Sequence, residues 1–239
     1  MGARREGAMK PLAPIGSMAG HVWIPLGVFV VLAVLLESTR VDVWLADAIY
    51  RWEGGAWSWR RDPIVRDLFH DDAKRLIGFT YGGLVLACVA SFWTERLGAY
   101  RWGFVYLVVA VAGSTLLIAL LKDVTHVNCP WSVDRYGGEV PYLSTWREVL
   151  HHGPSGRCFP SGHAGSGYAL VASYFFCRRF APRCRWVALG TAIGLGAAFG
   201  VAQQLRGAHY LSHDVWALAL CWFTAVAATP LLKRDRAAS

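Results

Sequence analysis

Three short polar segments of the chain carry the residue types that phosphoryl-transfer chemistry needs. They read LKDVTHVNCPW over residues 121–131, RCFPSGHAG over 157–165 and LRGAHYLSHDVW over 205–216. Each segment borders a long apolar block. A lysine, a Ser-Gly pair, arginines and several histidines could therefore meet at one end of these blocks.

The middle segment predicts a phosphate-binding turn. Pro160, Ser161, Gly162 and His163 are typical of a helix start, where backbone N–H groups lack intrahelical acceptors and the helix dipole is positive. Gly162 allows an oxyanion to approach the backbone closely, and Ser161 adds a hydroxyl donor. Phosphate is a common occupant of such a turn. Lys122, at the end of the preceding apolar block, would add a positive charge.

Histidines supply the expected acid and nucleophile. His163 could donate a proton to a departing oxygen. His209 could attack phosphorus if it is neutral and held in the correct tautomer, and either His213 or Asp214 could orient it. His209 and His213 also have the i, i+4 spacing of metal ligands, but the Glu of the zinc-protease helix is absent and no third ligand is evident. We therefore expect no metal or other cofactor.

Arginines near these segments extend the expected phosphate site. Arg206 and Arg157 are the candidates for binding the phosphate oxygens, although both could instead face anionic lipid headgroups. Cys129 and Cys158 lie next to the first and second segments. In an oxidising compartment they could form a disulfide that ties the two together, and the alternative is two small buried thiols.

The elements that must position these residues are membrane spans. The chain has 239 residues, of which 55% are hydrophobic and only 17% charged, whereas soluble domains average about 25% charged residues. We expect one all-α domain over residues 1–239, an integral bundle of six transmembrane helices with an active site on its outer face. The six apolar blocks cover residues 21–37, 75–93, 102–121, 163–178, 186–205 and 214–232.

Basic residues predict the orientation of the bundle. Lysines and arginines dominate the tail before the first block, the loops after the second and fourth, and the tail after the sixth. The positive-inside rule makes these four segments, including both termini, cytoplasmic, and the three polar segments face outwards. The net charge of +8 thus reflects topology, and we expect no nucleic-acid partner. The compact chain suggests a bacterial inner membrane.

Glycine spacing in the fifth block predicts close helix packing. Gly190 and Gly194 form one pair at four-residue spacing, and Gly196 and Gly200 form another. Small residues at this spacing let two helix backbones approach each other. We expect both pairs to face neighbouring helices.

The three segments together resemble the type-2 phosphatidic acid phosphatase family, which includes membrane lipid phosphatases and vanadium haloperoxidases. Its pattern is Lys-x6-Arg-Pro, then Pro-Ser-Gly-His, then Ser-Arg-x5-His-x3-Asp. The second motif is complete here, and Lys122 and His209 match the first and third, so the core motifs span residues 122–214. Departures from the pattern include Cys129 and Gln203 at the two arginine positions, and His213 at the aspartate position.

This resemblance implies a hydrolase in which His209 forms a phosphohistidine that water then cleaves, with His163 as general acid. The substrate would be a lipid phosphate monoester or pyrophosphate within the bilayer. Phosphatidic acid, phosphatidylglycerol phosphate, undecaprenyl pyrophosphate and lipid A phosphates all fit, with a specialised envelope lipid slightly favoured. Two alternatives stay open, a lipid phosphotransferase using the same histidine and a non-catalytic lipid-binding or transport protein. The sequence leaves the oligomeric state undetermined.

Overall fold

The computed structural model describes residues 18–60, 62, 73–151 and 156–236. Within these ranges the chain is helical, with short 3-10 turns, an isolated bridge between Val133 and Val140 and no strand. The helices used below are α1 Ala19–Ser38, α2 Val41–Trp52, α3 Ala73–Ala90, α4 Arg101–Thr125, α5 Thr145–His151, α6 Gly162–Tyr168, α7 Ala172–Phe180, α8 Arg185–Leu205 and α9 Leu211–Ala228.

All six apolar blocks coincide with helical segments, which confirms the all-α membrane bundle. Four of them, α1, α4, α8 and α9, are long and apolar enough to cross a bilayer. The second block gives the shorter apolar helix within α3. The fourth block is interrupted by a 3-10 turn at Ala169–Val171, which separates α6 from α7. The predicted cytoplasmic tail before α1 lies outside the described residues.

Helix α1 differs from the other spans because none of its residues is buried. Its long apolar side chains, such as Trp23 and Ile24, are more than two-thirds exposed in the isolated chain. Such a helix is stable only in an apolar solvent, because exposing this area to water would oppose folding. The exposure of α1 therefore fits contact with lipid.

Glycines bring α6 against its neighbours. A Cβ on Gly165 would lie 2.4 Å from Ile118 Cδ1 of α4, and one on Gly167 would lie 2.6 Å from the backbone nitrogen of Gly196 in α8. At Gly167 the facing atoms are backbone, so only glycine allows that approach. The helix that begins with the Ser-Gly-His turn is thus fixed between two spans.

The glycine prediction for α8 is right for one pair and wrong for the other. Gly196 faces the ring of Tyr168, and Gly200 faces the carboxylate of Asp214. Gly190 and Gly194 are exposed, and a Cβ on either would meet no described atom within 4 Å. The spacing alone did not show which face of α8 meets the bundle.

Two short helices cover one end of the bundle. Helix α2 is amphipathic, with Asp42, Val43 and Ala46 buried while Trp44 and Trp52 are largely exposed. Helix α5 lies in the long connection between α4 and α6. Chain connectivity places the three polar segments at this same end, because α4 ends there and α6 and α9 begin there.

Candidate active site

Backbone hydrogen bonds hold the three polar segments together. The Ser161 N–H donates to the His213 carbonyl at 3.1 Å, which joins the second segment to the third. The Trp131 N–H donates to the Gly207 carbonyl at 3.0 Å, which joins the first to the third. The Thr125 hydroxyl donates to a carbonyl of the second segment, that of Phe159, at 2.8 Å. The sequence expectation that these segments meet is therefore met by the fold.

A covalent link reinforces the first and second segments. Cys129 and Cys158 form a disulfide with Cα atoms 5.3 Å apart. The Cys158 N–H also donates to the Val127 carbonyl at 2.9 Å. The cysteine at the position of the missing motif arginine thus has a bridging role in the structure and no charge to offer a phosphate.

Lys122 lies over the turn that opens α6. A Cβ built on Gly162 would be 3.6 Å from Lys122 Nζ, which is ordinary van der Waals contact. Ser161 is fully buried at the N-cap position, and Gly162 and His163 are half-buried as the first two residues of the helix. An ammonium group, the first N–H groups of a helix and a general-acid candidate therefore surround one small region.

His209 lies beneath this region with its ring almost fully buried. It sits in the connection between α8 and α9. Burial lowers the pKa of His209 well below 6.5, and the nearby His213, Lys122 and His163 lower it further, while a hydrogen bond with the Cys158 backbone opposes the shift. A neutral imidazole, which a nucleophile needs, is the result.

His213 is the residue that contacts His209. Their Nδ1 atoms are 3.4 Å apart, and the side chain of His213 is fully buried one helical turn into α9. If His213 accepts at Nδ1, His209 carries its proton on Nδ1 and keeps Nε2 free to attack. Of the two residues considered for orienting His209, the geometry favours His213.

Asp214 has other contacts. Its Oδ2 accepts a hydrogen bond from Gln204 Nε2 at 2.6 Å, and Gly200 leaves room for the carboxylate against α8. One residue of offset along α9 rotates a side chain by about 100°. Asp214 therefore faces α8, and its proposed role in orienting His209 has no contact to support it.

The two arginine candidates differ in position. Arg206 is half-buried within the third segment, and its Nη1 donates to Gln203 Oε1 at 3.2 Å. Gln203, which occupies the position of the family's arginine, therefore contacts an arginine one helical turn later in the chain. Arg157 is exposed and paired with Asp123. Arg206 is consequently the better placed of the two for a phosphate ligand.

Asp42 is a positioning residue that the sequence did not reveal. Its Oδ1 accepts the Ser212 N–H at 3.0 Å, so α2 supplies a cap for the first turn of α9. Burial raises the pKa of Asp42, although the hydrogen bonds from Ser212 oppose this. Nothing in the amphipathic pattern of α2 indicates a partner 170 residues away, and only the fold brings the two together.

Comparisons with known proteins agree with this arrangement. A model of the PAP2 superfamily matches residues 103–237. The fold resembles the crystal structure of a transmembrane PAP2 type phosphatidylglycerolphosphate phosphatase from Bacillus subtilis, with a TM-score of 0.56 and 14% identity over 88% of this chain and 95% of that one. The sequence of the present chain matches no curated protein significantly. The chain belongs to the PAP2 superfamily.

Proposed function

We propose that this protein is a metal-independent membrane phosphatase that hydrolyses a lipid phosphate monoester or pyrophosphate through a phosphohistidine on His209. The observation that carries the proposal is the position of His209. It is buried and neutral, and its pKa responds to the charges of Lys122 and His163 from the other two motifs. Membership of the PAP2 superfamily supports the same chemistry.

Substrate binding uses the turn at the start of α6. The phosphate oxygens accept hydrogen bonds from backbone N–H groups at Gly162 and His163 and from the Ser161 hydroxyl, and Lys122 and Arg206 balance their charge. These donors are fixed before the substrate arrives, because Ser161 is anchored to His213 through its backbone. Preorganised donors stabilise the additional charge of the transition state.

The reaction proceeds in two displacements. His209 Nε2 forms a bond to phosphorus as the bond to the lipid oxygen breaks, and His163 gives that oxygen its proton. A water molecule then attacks the phosphohistidine, His163 takes the proton of the water, and His209 is released with inorganic phosphate. His213 holds the Nδ1 proton of His209 throughout.

The substitution of His213 for the family's aspartate changes the electrostatics of this step. A neutral imidazole orients His209 but provides no negative charge for the imidazolium that develops during attack. We infer that Lys122, Arg206 and the helix N-terminus carry more of the transition-state stabilisation here. Among the residues that the structure describes, no three histidine, cysteine or acidic side chains gather as metal ligands, and the EDTA arm below tests whether metal is needed.

The neighbouring solved structure suggests one candidate substrate, since it is a phosphatidylglycerolphosphate phosphatase. Phosphatidic acid, undecaprenyl pyrophosphate and lipid A phosphates complete the set. The basic residues at the end of α7 and those that follow α9 lie opposite the site, which supports cytoplasmic termini and a site facing outwards from a bacterial inner membrane. The disulfide beside the site supports an oxidising compartment.

The test is phosphate release from detergent-purified protein with each of these lipids, in EDTA, for the wild type and His209→Ala. We expect release from at least one lipid in EDTA and a loss of at least a thousandfold in the variant. Release that needs a divalent cation would contradict the metal-independent mechanism. Phosphate passed to an added lipid acceptor in preference to water would identify a phosphotransferase, and binding without turnover would identify a lipid-binding protein.

A further inference from the structure

Helix α1 contacts α9 through His21 and Phe29 but leaves open clefts along its length. Three clefts of about 380, 290 and 360 Å³ lie between α1 and the spans α4, α8 and α9. Phe29, at the middle of α1, lines all three, and Trp216 of α9 lines two of them. We call these clefts together the α1 seam. Their volumes are in the range of small-ligand pockets, about 300–1,000 Å³.

Aromatic contacts connect the α1 seam to the active site. The ring of His213 meets the ring of Phe159 edge-on at 5.4 Å between centroids, and Phe159 meets Trp216 at 5.8 Å. Trp216 then contacts Phe29 at 4.7 Å and Trp146 of α5 at 5.3 Å. Phe159 thus separates the histidine pair from the seam by the thickness of one side chain.

Helix α5 belongs to both regions. Its Glu148 accepts a hydrogen bond from the backbone N–H of Asn128, in the first motif segment, at 2.9 Å. Its Thr145 hydroxyl lies 3.3 Å from that of Ser212 at the start of α9. Trp146, between these two anchors, lines the largest cleft of the seam. Helix α5, which covers one end of the seam through Trp146, is therefore held by the same segments that form the site.

The lining of the α1 seam changes from polar to apolar with depth. Glu37 and Ser38 lie at its outer end, where Ser144 also donates a hydrogen bond to Glu37. Deeper in the bilayer the lining is aliphatic or aromatic except for Thr224. A charged or hydrogen-bonding ligand would be poorly solvated there, whereas a hydrocarbon chain would be matched.

We propose that the α1 seam binds a hydrocarbon chain of the substrate while its phosphate occupies the site between Lys122 and His209. This inference rests on the proposed function and adds a location for the apolar part of the lipid. The chain passes Phe159 beneath Trp146 and lies against Phe29 and Trp216. Because α1 is a span with no buried residue, its clefts open to the bilayer, from which a hydrocarbon chain can enter them.

The test is to fill the seam without altering the site. Ala33 lines the largest cleft, so Ala33→Trp places an indole in the space assigned to the chain. Val31 is on the same helix, is 57% exposed and does not line the three clefts, so Val31→Trp is the matched control. Phosphate release is measured with dioleoyl and dihexanoyl phosphatidic acid.

We expect Ala33→Trp to raise KM for the dioleoyl lipid about tenfold and to change kcat/KM for the dihexanoyl lipid less than twofold. Val31→Trp should leave both unchanged. Equal losses for both lipids in Ala33→Trp, or no loss for either, would overturn the proposal. Absence of phosphate release from any lipid by the wild type would instead contradict the proposed function.

A second measurement needs no turnover. Phosphatidic acid with a diazirine near the end of one acyl chain is photolysed with each protein, and the labelled peptides are mapped by mass spectrometry. We expect labels in α1 and α9 around Phe29 and Trp216 in the wild type and Val31→Trp, and at least a fivefold loss in Ala33→Trp. Labels spread evenly over the lipid-facing spans, with no effect of Ala33→Trp, would overturn the seam as a binding site.

Discussion

Replacing His213 with aspartate changes the charge beside His209 while keeping the contact atom in place. Histidine Nδ1 and the carboxylate oxygen of aspartate are both two bonds beyond Cβ. An aspartate oxygen at position 213 can therefore take the place of the Nδ1 atom that lies 3.4 Å from His209 Nδ1. Asparagine offers a neutral oxygen in the same position, and alanine removes the contact.

The magnitude of the change follows from this distance. A unit charge about 4 Å from another is attracted by about 4 kcal/mol at an effective dielectric constant of 20, and the burial of the new carboxylate reduces the net effect. The pKa of His209 is held low by burial and by neighbouring positive groups, so we expect the wild type to remain active below pH 6.5. A carboxylate favours the imidazolium, so His213→Asp raises that pKa and moves the acid limb of the pH profile to higher pH.

The assay is kcat/KM for phosphate release between pH 4.5 and 8. We expect His213→Asp to lose activity at a higher pH than the wild type and His213→Asn to keep the wild-type acid limb. His213→Ala loses one hydrogen bond to the nucleophile, worth about 1–3 kcal/mol, and should slow the reaction about 5–150-fold. Thermal unfolding in detergent checks that each variant is folded. Identical acid limbs in folded wild type and His213→Asp would refute the assignment of His213.

Three further predictions concern the framework around the site. Gly167→Ala forces a Cβ to within 2.6 Å of the facing backbone of α8, so it should cost about 1–3 kcal/mol and lower Tm by several degrees, whereas Gly190→Ala, with open space around it, should not lower Tm. Replacing Cys129 and Cys158 with serine removes a disulfide between residues 29 apart, so it should lower the free energy of unfolding by about 3–4 kcal/mol. Non-reducing alkylation of the wild type should leave both cysteines unmodified. Asp42→Ala removes a cap from α9, worth about 1 kcal/mol, and a Tm equal to the wild type would contradict that role.

The helices and the meeting of the motifs were accessible from the sequence because both depend on local patterns. Long apolar blocks must become helices in a bilayer, because a span has to satisfy its own backbone hydrogen bonds. The candidate catalytic and phosphate-binding residues border these blocks in an order that places them at the same end of the bundle. They are Lys122, Ser161, Gly162, His163 and His209. The break between α6 and α7 was missed, because a 3-10 turn leaves no mark in an apolar pattern.

The details of the site depended on contacts between distant parts of the chain. Sequence spacing alone did not show whether His213 or Asp214 orients His209. The structure distinguishes them, because His213 contacts His209 whereas Asp214 contacts Gln204 of α8. Asp42 reaches α9 from a helix that the sequence marks merely as amphipathic. The contact of Trp216 with Phe29 becomes visible only when α1 is placed against α9.

The most direct test of the central claim is to trap the phosphoenzyme. Wild-type protein is mixed with a lipid substrate carrying ³²P in its terminal phosphate, quenched in alkali within milliseconds, digested and mapped by mass spectrometry. The account predicts an acid-labile, alkali-stable phosphate on His209, and no such label in His209→Ala. Phosphate release by the wild type with the label on another residue, or with no labelled protein at any quench time, would contradict it.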